Sequence, residues 1–180
     1  VGTRYEDDSL GRFDLSATYG RDEHDELAYN TLNPSFGIAS PTKFQIATLI
    51  NEQTNVGLDY VKDLPVDWLT NPLNISAGIA YRNERYRLES GDAQSYSFGG
   101  IDGVQVGGVQ ASGLTPDDAG TYSRDVTGIY FGLENQVTEK LQLGLAARTE
   151  HYSDFGSATT GKLSARYDFT PKVGLRATVN

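Results

Sequence analysis

The chain has 180 residues, 24 acidic against 15 basic, and a formal net charge of −9. That balance excludes a general nucleic-acid binder, which needs a basic face to neutralise phosphates. Without cysteine there is no disulfide framework and no thiolate metal site, and no apolar run reaches the roughly 18 to 20 residues of a membrane helix.

Short half-apolar strands escape that last test, and aromatic girdles between glycine-rich turns suit a β-barrel. Eleven Tyr, seven Phe and twenty Gly fit such a barrel, as they fit a soluble β-protein. The chain opens at Val1 with no basic, apolar leader and contains no methionine. An internal piece of a longer precursor, or a processed mature chain, is the expectation.

Val1–Tyr5 reads as the end of a strand and Glu6–Gly11 as a polar turn. Arg12–Tyr19 alternates, with Phe13, Leu15, Ala17 and Tyr19 on one face. Gly20–Gln53 is too irregular for a hairpin turn and reads as a long loop with an acidic start, Asp22–Glu26. Within it Gln45–Ile50 fits a short helix or a strand equally. Thr54–Val61 alternates again. Lys62–Pro72 turns the chain, since Pro65 and Pro72 cannot donate ladder hydrogen bonds. Leu73–Arg87 starts with Leu73, Ile75, Ala77, Ile79 and Tyr81 in phase, then carries charges on both faces, as a strand running on into water would.

Ser90–Tyr122 reads as a glycine-rich loop. Its aromatic residues Tyr96, Phe98 and Tyr122 are the candidate ligand contacts, because surface loops often carry function. The expectation is that the loop is dispensable for building the fold. Arg124–Asn135 returns as a strand and Gln136–Lys140 is a tight turn.

The last three strands are the clearest. Leu141, Leu143, Leu145 and Ala147 oppose Gln142, Gly144, Arg148 and Glu150. Leu163, Ala165, Tyr167 and Phe169 oppose Lys162, Ser164, Arg166 and Asp168. Val173, Leu175, Ala177 and Val179 oppose Gly174, Arg176 and Thr178. The connections alternate long and short, with His151–Thr159 counted among the longer ones and Thr170–Lys172 among the short. Outer-membrane barrels sort their connections this way. Seven strands follow, or eight with Val1–Tyr5.

Chemistry-bearing motifs are few. Gly156–Leu163 approaches a phosphate-binding loop, but position 163 is Leu and the segment continues with strand period, so the required helix is missing. His24 and His151 lack a second ligand at metal spacing and read as solvated loop residues. No catalytic set is found, so the chain reads as no enzyme, with no metal and no cofactor.

Several stretches resemble the barrel of TonB-dependent outer-membrane receptors. They are Asp14–Gly20, Asn33-Pro34-Ser35-Phe36-Gly37, Ser40–Phe44, Glu150 with Tyr152–Gly156, Thr160–Tyr167 and Leu175–Asn180. The resemblance covers most of the chain in matching order. It implies an all-β, antiparallel transmembrane barrel, of which residues 1–180 would be seven or eight strands out of 22, without the plug domain. It further implies an outer-membrane location, lipid on the apolar face, and a polar face lining the lumen. There Arg148, Glu150, Lys162, Arg166, Asp168 and Arg176 would meet water, the plug or an anionic ligand. The implied partners are the rest of the barrel, the plug, the TonB complex and a scarce nutrient such as a ferric siderophore, cobalamin or a carbohydrate. Two alternatives stay open: a self-closed barrel of eight strands with a structural or adhesive role, and a soluble β-sandwich binding module.

Overall fold

The computed structural model describes residues 1–180 as eight antiparallel strands in one open sheet, ordered β1 to β8 without a crossover. The strands are β1 (Gly2–Asp7), β2 (Gly11–Tyr29), β3 (Lys43–Leu64), β4 (Leu73–Ser90), β5 (Gly120–Gln136), β6 (Leu141–Tyr152), β7 (Gly156–Thr170) and β8 (Val173–Val179). A single sheet is not a sandwich. Because β1 and β8 are its two edges, it is not a self-closed barrel either.

Four expectations need correction. Residues 20–29 belong to β2 and residues 43–53 to β3, so the connection between them is only 30–42. Tyr122 lies in β5, not in a loop. The β6–β7 connection is the tight turn 153–155, since both strands run further than their apolar phase. His24 and His151 are strand residues. The first faces Glu26 at 3.2 Å, and the second has its Nδ1 3.0 Å from the Ser157 hydroxyl.

The chain divides into two compact units. One comprises Val1–Thr18, Thr54–Asn83 and Arg124–Asn180, the other Tyr19–Gln53 and Glu84–Ser123. In the first, register turns alternation into two faces. Leu133 pairs with Leu145, Leu145 with Leu163, and Leu163 with Val179, so one apolar row crosses β5 to β8. Leu145, Leu163 and Val179 are 49%, 61% and 70% exposed. On the opposite face Tyr130 pairs with Arg148 and Arg148 with Thr160, while Gln142 pairs with Arg166 and Arg166 with Arg176.

Turns are fixed by side chains. Asp7 accepts from the Ser9 amide and hydroxyl and from the Leu10 amide, and the Ser9 hydroxyl chiefly holds its carboxyl below the usual range. Tyr60 and Lys62 donate to the Leu10 and Ser9 carbonyls of the same turn. The 65–72 turn is pinned to β5. Asn71 donates to the Gln136 carbonyl at 2.8 Å, and Asn135 donates to the Asn71 and Pro72 carbonyls.

In the second unit the 91–119 connection is built, not loose. It begins with a one-turn helix, α1 (Ala93–Tyr96). Asp92 donates to the Gln45 carbonyl and Leu114 to the Ile46 carbonyl, so the connection runs beside β3. Phe44, Ala47 and Ile50 of β3, with Ala28 of β2, are buried. Near its end the Asp118 carboxylate accepts from the Thr115 hydroxyl and amide, which hold it below the usual carboxylate range.

Glycines on the polar face make room for large neighbours. The Tyr130 hydroxyl reaches Asp59 at 2.6 Å, from β5 to β3, passing over Gly78 of β4. A Cβ on Gly78 would lie 2.3 Å from the Tyr130 ring and 2.8 Å from the Asp59 carboxylate. Gly78→Val should therefore destabilise the fold by about 1–3 kcal/mol through overpacking. In a Tyr130→Ala background that cost should largely disappear. A urea-unfolding double-mutant cycle checks this, and an undiminished cost in the double variant would rule out the Tyr130 contact as its cause.

Candidate functional site

Two clusters of charge stand on the polar face of the first unit. In the first, the Arg148 guanidinium holds Glu150 Oε1 at 2.7 Å and the Tyr152 hydroxyl donates to Oε2 at 2.6 Å. Strand geometry places these i, i+2 residues on one side. Tyr152 stacks on Phe155 with ring centroids 4.2 Å apart. Arg124 lies over both rings, at 5.5 Å and 6.0 Å, and 3.8 Å from Asp154. Gly128 leaves space for the Arg148 guanidinium, since a Cβ there would sit 3.3 Å from Nη2. The cluster presents two partly exposed guanidinium groups beside an aromatic pair, a combination suited to anionic or planar groups.

The second cluster surrounds a depression of about 150 Å³ whose lining includes Glu134, Gln142, Lys162, Arg166 and Arg176. Arg166 pairs with Asp168 at 3.1 Å. Arg166 also stands directly opposite Arg176 on the neighbouring strand. Like charges so placed repel, and no stability argument requires them. A larger depression, about 650 Å³, lies on the other face among Trp68, Leu133, Leu143, Leu145 and Leu163. It offers hydrocarbon contact rather than chemistry.

All six charged candidates therefore lie on one face. They fall into two groups: Arg148 with Glu150, and Lys162, Arg166 and Arg176 with Asp168 bound to Arg166. Arg124 and Tyr152 belong with the first group and were not singled out from the sequence. Tyr152 shares parity with Arg148 along β6 but falls in a stretch that reads as a loop, and Arg124 joins them only once β5 and β6 are in register. The aromatic candidates are not assembled into one site. Tyr96 closes α1 and is half-buried, Phe98 is exposed beyond it, and Tyr122 is exposed on β5.

The family model for the TonB dependent receptor-like beta-barrel matches residues 1–180. The chain belongs to that family. Among solved structures it is similar to the siderophore receptor PirA from Acinetobacter baumannii, with 15% identity and a TM-score of 0.55. The alignment covers 94% of this chain but 22% of PirA, so the chain spans about a fifth of that receptor's length. No curated protein matches the chain.

Arg176→Gln tests the reading of the second cluster. Removing one of two facing cations should leave the barrel as stable as before or stabilise it by about 0.2–1 kcal/mol. Urea unfolding measures this. A loss above about 1 kcal/mol would place Arg176 in a stabilising network instead.

Proposed function

We propose that the chain is a section of the barrel wall of an outer-membrane import receptor, which binds a scarce small-molecule nutrient outside the cell and passes it inward with energy from the TonB complex. The observation that carries this reading is the contrast between the faces. A continuous row of leucines and valine crosses β5 to β8, half-buried at Leu133 and exposed from Leu145 to Val179, while arginines, lysine and carboxylates occupy the reverse. An exposed apolar surface of this extent marks a membrane or protein contact. Alternate apolar and polar residues are what a strand between lipid and an aqueous lumen requires.

In this reading the apolar row meets lipid, and Trp68, 82% exposed, anchors at the interface. The turns 8–10, 65–72, 137–140 and 171–172 face the periplasm, and the connections 30–42 and 91–119 face outward. Arg148, Glu150, Lys162, Arg166, Asp168 and Arg176 line the lumen, where they meet the plug or an anionic ligand. Further strands pair with β1 and β8, because open edges are not tolerated in lipid. Similarity to a siderophore receptor favours a ferric siderophore over cobalamin or a carbohydrate.

Iron uptake tests the function. Cells producing the full receptor and lacking other iron receptors should accumulate radiolabelled iron from at least one ferric siderophore, and only when TonB is present. Accumulation independent of TonB would overturn the transport reading. Uptake of cobalamin or a carbohydrate alone would move the ligand class.

The assignment of faces has its own test. Leu145→Arg should destabilise the assembled barrel by about 2–4 kcal/mol if the site is near the bilayer midplane. Ser164→Arg, on the opposite face, should cost much less. Equal losses in urea unfolding of the two variants in bilayers would mean that neither face contacts lipid as described.

A further inference from the structure

The connections 30–42 and 91–119 meet at one side chain. Asn33 is completely buried. Its amide nitrogen donates to the Gln94 and Ser97 carbonyls, both at 2.9 Å. Its oxygen accepts from the Ser35 amide at 3.1 Å and the Ser35 hydroxyl at 2.7 Å. Both amide hydrogens and both oxygen lone pairs are therefore used, which also fixes the orientation of the amide. Asn33 caps the 3₁₀ turn Pro34–Ala39 within its own connection and closes on α1 of the other.

Other bonds extend from this centre. Ser35 is buried too. Its hydroxyl accepts from the Gly99 amide and its carbonyl from the Ile101 amide. Val109 donates to the Leu32 carbonyl, and the Gln110 amide reaches the Thr31 hydroxyl. Inside the longer connection, the Ser95 carbonyl accepts from Gly108 and Gly113. The Ile101 side chain lies against Gly37, where a Cβ would come within 2.8 Å of Ile101 Cδ1. Ile38 and Ile101 remain exposed on the surface so formed.

We propose that Asn33 is a positioning residue that joins the two connections into one preformed surface, which opens only as a unit. A nutrient then meets both connections as a single fixed shape, not one connection closing over the other. This rests on the reading that the two connections face the nutrient. The experiment below needs no ligand, so its failure leaves the transport reading standing.

Amide hydrogen exchange in the full receptor tests it. The amides of Ile101, Gly108, Val109 and Gly113 should share one level of protection with those of Thr31, Phe36 and Ser40. Asn33→Asp keeps the size but loses both donated bonds and sets a carboxylate against two carbonyls. Exchange should accelerate about 10- to 100-fold in both segments together, with β6 and β7 unchanged. Ser35→Ala, a milder change, should accelerate both segments by a smaller factor, and it serves if Asn33→Asp does not assemble. Acceleration confined to 31–40 would overturn the proposal. So would unprotected amides at 101–113 in the unsubstituted receptor, or an equal loss of protection in β6 and β7.

Discussion

The structure depends on where backbone N–H and C=O groups find partners. In a one-layer sheet each inner strand is paired on both sides, and β1 and β8 on one. Water can satisfy an unpaired edge, but hydrocarbon cannot, and each unmet group there costs several kcal/mol. The same ladder that satisfies the backbone sends successive side chains to opposite faces. An apolar row from Leu133 to Val179 and a polar row from Tyr130 to Thr160 are two consequences of one register.

A single layer has no interior of its own. Side chains of the barrel wall stay half-exposed on both faces unless something covers them. The core is accordingly small, and four of its five buried apolar side chains, Ala28, Phe44, Ala47 and Ile50, lie in the unit that contains the long connections. There the chain folds over its own strands. Beside those side chains, Asn33, Ser35 and Ser95 are fully buried. Burial of such groups is tolerable only when their hydrogen bonds are made, and irregular backbone has many amides and carbonyls to offer them.

Legibility in the sequence followed the same physics. In β6, β7 and β8 one face is apolar and the other is not, so a period of two shows through, and the faces assigned from it agree with the register. In Gly20–Tyr29 and in the first part of β3 that contrast vanishes. In Gly20–Tyr29 polar groups occupy both faces, with Arg21 ion-paired to Glu23 and to Glu52, and such a strand looks like a loop. At the start of β3 it is apolar residues, Phe44, Ile46, Ala47, Leu49 and Ile50, that occupy both parities and erase the alternation. The turn 153–155 was hidden for a related reason, because Ser157, Thr159 and Thr160 extend β7 without an apolar phase. The charged face was legible as a set of residues of one parity. Its division into two clusters was not, since Arg124 joins Tyr152 only across strands. Asn33 gave a local signal, an amide followed by Pro and Ser at the start of a turn. Its two bonds to the chain some sixty residues on left no mark in the pattern.

The two candidate surfaces are held by unlike forces, and this bears on how each could work. Arg148 with Glu150 and Arg166 with Asp168 are partly exposed ion pairs. Such pairs contribute little to stability and are screened by salt. They can exchange partners at small cost when another charged group arrives. The Asn33 centre is uncharged, buried and fully bonded, so salt screening barely reaches it and breaking any one bond strands a polar group. A surface held in that way keeps its shape. The chain thus combines a polar face that can re-form its contacts with a pair of connections that hold theirs, and the difference follows from charge and burial together.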